Sequence, residues 1–276
     1  MLRILLGIAI AVGAVAAAPG VNAAPKAAVS IPNQAGIQRA VDRGRMIYAY
    51  DQAAWHGTDD MLTKIPHPES VVGGWIVDGP AESPELVFFD KNEADPHAVY
   101  VAQFRDNKLV SSRLLGFGAE TKLSPERIRL IKARKIGLDA FFANKVERCT
   151  NRPYNTVVMP APLPGGPTLV YVLTPQTDND TMPFGGHYLI EVSADGKASA
   201  LRPFTKSCIS LPLRDKGKDA TVALTITHLL DPVPTEIHVF TSLSAHMPVF
   251  VLTTQNQLSW TVEGDRISPL APKKTK

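Results

Sequence analysis

The stretch AVYVAQFRDNKLVSSRLL, Ala98–Leu115, carries the reading of the fold. Residues alternate along Val99–Phe104, and a second extended run follows at Leu109–Leu115. Asp106 and Asn107 between them tolerate the left-handed backbone that a tight hairpin requires. Two further strand-like runs, Val71–Val77 and Leu86–Phe89, precede this pair, so residues 71–115 predict a β-meander. Downstream, Ser124-Pro125-Glu126 marks a helix start. It offers a capping hydroxyl, a proline whose missing N–H costs nothing in the first turn, and a carboxylate at the positive end of the helix dipole. The helix is expected from Pro125 to Asn144. Ile128, Leu130, Ile131, Leu138, Phe141 and Phe142 share its arc with Arg127, Arg134 and Lys135, whose stems would cover apolar surface and keep wet tips. Upstream, Asn33 is placed to cap another helix, in which Ile37, Val41, Gly44, Tyr48 and Trp55 fall within about 60° of one another as a core-facing stripe.

Pro160, Pro162, Pro164 and Pro167, with Gly165-Gly166, interrupt regular structure and read as a linker over 160–167. It would separate an α+β half, 34–159, from a β-rich half, 168–270. Strands are expected in the second half at Leu169–Leu173, Tyr188–Ala194, Ala198–Arg202, Val222–Leu230, Ile237–Leu243, Val249–Thr253 and Leu258–Glu263. Asp195-Gly196 marks a hairpin. The pattern predicts an α+β fold, mostly antiparallel sheet, with two main helices in the N-terminal half. WIVDG at Trp75–Gly79 is echoed by WTVEG at Trp260–Gly264, too short a match to read as a duplication.

Residues 1–23 read as an export signal. Met1-Leu2-Arg3 is a short positive start, Ile4–Ala18 an uninterrupted apolar or small run, and Val21-Asn22-Ala23 the small-residue pattern that a signal peptidase cuts after. The run of about 15 residues falls short of the roughly 20 a spanning helix needs, so no membrane span is expected. The expected product is periplasmic or secreted, with 24–33 a flexible leader and 271–276 a frayed basic tail. The chain carries 29 Lys and Arg against 26 Asp and Glu, a net charge of +3 without long single-sign blocks. A nucleic-acid partner therefore has no electrostatic footprint. Cys149 and Cys208 are the only cysteines, and an even pair in an oxidising compartment reads as a disulfide. Such a bond would close about 60 residues, contribute about 4 kcal/mol in the chain-entropy model, and join the two halves.

The chain holds no Gly-x-Ser-x-Gly elbow, phosphate-binding glycine loop, His-Glu-x-x-His, Ser-x-x-Lys or EF-hand loop. No motif points to a cofactor. One constellation has the residue types for chemistry: Glu236 and His238 in catalytic roles, with His187, His228 and His238 as metal ligands. Glu236 and His238 would share one face of a strand, and histidines from other strands could complete a three-ligand zinc site or a carboxylate-oriented base. His228 continues the apolar face Val222, Leu224, Ile226 and reads equally as a core histidine, while His246 precedes Pro248 in a turn. The expected function is a non-catalytic binding or envelope-associated protein with a protein, peptide or glycan partner. The alternative is a hydrolase, metal-dependent or not, using Glu236, His238 and His187.

Overall fold

The runs Leu86–Phe89, Val157–Met159 and Leu169–Leu173 are apolar at every position. A strand with two apolar faces must be covered on both. A computed structural model describes residues 33–116, 118–161, 163–213 and 222–270, and in it two helices provide that cover. The expected export signal at 1–23, nearly all of the expected leader at 24–33 and the tail at 271–276 lie outside the described residues.

Helix α1 (Gln34–Lys64) and the single-turn α2 (Pro68–Val71) lead into β1 (Val72–Asp78), β2 (Glu85–Asp90), β3 (Ala98–Arg105) and β4 (Lys108–Leu114), an antiparallel meander. Asp106 and Asn107 have φ of 49° and 61°, the left-handed turn expected between β3 and β4. Helix α3 (Pro125–Ala143) begins as expected, with the Ser124 side chain accepting the Arg127 N–H and proline in the first turn. A second antiparallel sheet follows: β5 (Asn155–Met159), β6 (Thr168–Leu173), β8 (Tyr188–Val192) and β9 (Arg202–Pro203), with β5 beside β1. Alternate residues face opposite layers. Leu86, Phe88, Tyr100, Tyr171 and Leu173 pack with α1, and Val87, Phe89, Val170, Val172 and Ile190 pack with α3.

The 160–167 segment joins β5 to β6, which pair directly with each other in one sheet. The short β7 (Thr181–Pro183) pairs with β10 (Ser210–Pro212). Cys149 and Cys208 form the expected disulfide, with Cα atoms 5.3 Å apart. Gly186, at φ 78°, lies against it, since a Cβ there would come within 2.5 Å of Cys149 Sγ. Two expected strands are shortened. Ser193–Lys197 turns through Gly196 at φ 80°, so β8 ends at Val192, and only an isolated bridge at Ala198 precedes β9.

The last sheet contains β11 (Leu224–His228), β12 (Val249–Thr253), β13 (Leu258–Glu263) and β14 (Arg266–Pro269). Its first two strands are parallel and the rest antiparallel. A parallel neighbour needs a crossover, and helix α4 (Glu236–Ala245) provides it. This overturns the strand expected at Ile237–Leu243. Glu236 through Ser242 are all buried, so the helix has no polar face to reveal its period, and β-branched Ile237 and Val239 imitate a strand.

The α1 stripe also differs from expectation. Asn33 caps the helix, its side chain accepting the Gly36 N–H at 3.1 Å, but Trp55 is 58% exposed and stacks on His56. The buried face is instead Gly36, Ala40, Gly44, Ile47, Tyr50, Ala53, Gly57 and Met61. Small residues carry it because α4 approaches closely: a Cβ on Gly44 would lie 2.4 Å from Val239 Cβ. Of the three basic residues expected to keep wet tips on α3, Lys135 does, and Arg127 and Arg134 do not. Arg127 forms ion pairs with Asp78 and Glu85, while Arg134 stacks on Trp75 and bonds Thr156. No helix among the described residues is long and apolar enough to cross a membrane.

Candidate functional site

The first turn of α4 enters a cleft of about 300 Å³ between the N-terminal part of α1, the β8–β9 edge and the 231–235 segment. Glu236, the first residue of α4, is 5% exposed and sits where the helix dipole favours a carboxylate. Tyr171, central in β6, donates its O–H to Glu236 Oε1 at 2.9 Å. Arg43 Nη1 from α1 lies 3.5 Å from the same oxygen, and Arg202 Nη1 from β9 lies 3.9 Å away. Arg202 is fixed from two further sides, by stacking on Phe204 at 4.5 Å and by Nη2 donating to Asp231 Oδ1 at 2.9 Å. The other Asp231 oxygen accepts from His228 Nε2 at 3.0 Å, and His228 stands edge-on to His238 with ring centroids 4.7 Å apart.

Local electrostatics follow from this chain of contacts. Burial opposes ionisation of Asp231, but the His228 hydrogen bond and nearby Arg202 outweigh it and hold the carboxyl below its ordinary value. Burial, together with the adjacent Glu236 charge, pushes the Tyr171 phenol well up. Arg39, Arg43 and Arg202 line the cleft together with Glu191, Asp231 and Glu236. Arg39 makes no ion pair among the described residues, and Arg43 meets only the oxygen that Tyr171 already engages. Several guanidinium donors therefore remain for an incoming acceptor.

The residues singled out from sequence are divided by the structure. Glu236 and His238 are two apart on a helix, which separates them by about 200°. Glu236 turns to Tyr171, whereas His238 turns to His228 and Phe184. His187 lies apart, edge-on to Phe240, and both its nitrogens are occupied: Nδ1 accepts the Thr174 N–H and Nε2 donates to the Pro183 carbonyl. Burial lowers its pKa to about 4, the state of a neutral core histidine. No group of three or more His, Cys, Asp or Glu side chains suited to a metal ion occurs among the described residues. His246 is the left-handed C-cap of α4, and His56 lies within α1.

One hydroxyl–imidazole contact has the form of a nucleophile and base. Thr235 Oγ1 lies 3.0 Å from His238 Nδ1. That nitrogen also accepts the Thr235 backbone N–H at 3.0 Å, the return half of a capping box. The ring is held well below its ordinary pKa by burial and then by His228, and its buried Nε2 has no hydrogen-bond partner among the described residues. These are the properties of a helix cap. A general base would need a pKa nearer the working pH and an oriented second nitrogen.

Arg43, Tyr171, Arg202 and Asp231 were not singled out from sequence. The i, i+4 spacing of Arg39 and Arg43 and the Asp-Pro-Val-Pro-Thr run before α4 were the available signals. No protein-family model, curated protein or solved structure matches the chain.

Proposed function

We propose that this is an exported, non-catalytic binding protein that takes a carboxylate-bearing peptide or glycan group in the cleft at the start of α4. The observation that carries the reading is the position of Arg43. It shares the single Glu236 oxygen already engaged by Tyr171, and Arg39 stands one turn away, so an anionic ligand would find unsaturated donors on a wall braced by paired charges. Arg202, fixed by Phe204 and Asp231, would supply a preorganised third donor. The periplasmic or secreted location rests on the leader-like residues 1–23 and agrees with the disulfide. The non-catalytic part rests on the capped, neutral state of His238 and the saturated nitrogens of His187.

The test is calorimetric titration of the disulfide-bonded protein with N-acetyl-Ala-Ala and with galacturonate, each beside its uncharged counterpart, the dipeptide amide and galactose. At least one acid is expected to bind about tenfold more tightly than its neutral form, with Arg43→Gln removing that preference. Equal affinity within both pairs, or hydrolysis of a peptide or ester that is lost on His238→Ala, would overturn the reading.

A further inference from the structure

A second cavity, of about 520 Å³, opens between α3 and the β1–β2 end of the first sheet. Phe89, Ile131, Leu138 and Phe142 form its apolar lining, and Phe142 is 63% exposed at the surface. Arg134 lines the same cavity. Its guanidinium lies over the Trp75 ring at 4.7 Å, and Nε donates to Thr156 Oγ1 at 3.0 Å. Gly74 leaves room for it, since a Cβ there would come within 3.1 Å of Nη1.

No carboxylate pairs with Arg134 among the described residues, although Arg127, two turns earlier on the same helix, has both Asp78 and Glu85. Burial lowers the Arg134 pKa to about 10, with no opposite charge restoring it. Among the described residues none of the acids lining the cavity pairs with that group: Asp90 accepts the Asn92 and His97 N–H groups, Asp139 pairs with Lys135, and Glu93 is exposed. Desolvating a cation without a counter-ion is unfavourable, and Arg presents a planar fork matched to a carboxylate. An apolar lining beside such a cation suits a ligand with an anionic head and an apolar body, and the volume lies within the usual range of small-molecule sites.

We propose that this cavity binds an amphipathic monocarboxylate, its head group on Arg134 and its apolar body against Phe89, Ile131, Leu138 and Phe142. The site is independent of the cleft at α4. It needs no change in backbone, because the cation is already held by Trp75 and Thr156.

The test titrates the disulfide-bonded full chain with decanoate and with decan-1-ol below their aggregation limits, by calorimetry and by amide chemical shifts. Decanoate is expected to bind one site about tenfold more tightly than decanol, with shifts centred on α3 and β1. Arg134→Gln should abolish the difference, and Arg43→Gln should leave it intact. Phe142→Ser at the exposed rim provides a second arm that leaves the Arg134 contacts in place, weakening both ligands about threefold or more through lost apolar contact. Equal affinities for acid and alcohol, shifts centred on α4, unchanged binding in either the Arg134 or the Phe142 variant, or no saturable binding would overturn the proposal.

Discussion

The cleft at the start of α4 and the cavity beside α3 treat buried charge in opposite ways. In the cleft Glu236 and Asp231 both have donors: Glu236 has Tyr171, Arg43 and Arg202, and Asp231 has His228 and Arg202. Beside α3, Arg134 has an aromatic ring and one hydroxyl. Breaking a mutual pair strands the remaining partner, whereas removing a lone cation relieves a desolvation penalty. The α4 region should therefore depend on its charges for stability, and the α3 region should hold its charge at the expense of stability.

The disulfide joins the segment after α3 to the segment before β10, and its loss is expected to have the largest effect. Replacing Cys149 and Cys208 together by Ala should lower the unfolding free energy by about 4 kcal/mol in urea titrations, given a sequence separation of 59. A loss below about 1 kcal/mol would mean that packing alone holds the two regions together.

Acid should separate the regions next. His187 and His238 both pack against or within α4, and burial depresses both. The unfolded chain gains these protons near pH 6.5 while the folded chain resists, so their contribution is complete above about pH 6.5 and declines below it, that of His187 being lost as pH falls toward 4. For His187 alone the full loss is about 3 kcal/mol. His187→Asn should flatten the slope of stability against pH in that window, and Arg134→Met should leave the slope as it is, since Arg134 stays charged throughout. An undiminished slope in the histidine variant would show that other groups carry the dependence.

The smallest effect tests the comparison directly. Glu236→Ala should cost about 2 kcal/mol, by removing the acceptor of the buried Tyr171 hydroxyl and the anion between two arginines. Arg134→Met, similar in length and apolar, should be neutral or stabilising by about 1 kcal/mol. Thermal melts of both proteins at pH 7 check the pair, and a loss of equal size in the two would end the distinction.

Much of the first sheet and α3 was legible because each signal is local. Asp106-Asn107 sets a turn by its own backbone preference, and Ser124-Pro125 starts a helix by its own hydrogen bonding. The site was less legible. Glu236 and His238 were read as neighbours on one face because Ile237 and Val239 between them suggested a strand; the helix turns them apart. The Thr235-x-x-His238 spacing carried the missing signal, with histidine in the place where a capping box usually has Glu or Gln. Trp55 failed as a core residue for a different reason: α1 buries glycines and alanines, which a search for bulky apolar residues passes over.

By itself the sequence determined the α+β class, the position of α1 and α3, the meander and the pairing of the two cysteines, since caps, turns and an even thiol count act over short range or by arithmetic. Only the tertiary structure decided that α4 is a helix, that β11 and β12 are parallel, and that Tyr171, Glu236, Arg43 and Arg202 meet while Arg134 finds no carboxylate among the described residues. The physical reason is that a segment buried on every side shows no amphipathic period, and that charge pairing depends on distances between groups far apart in the chain.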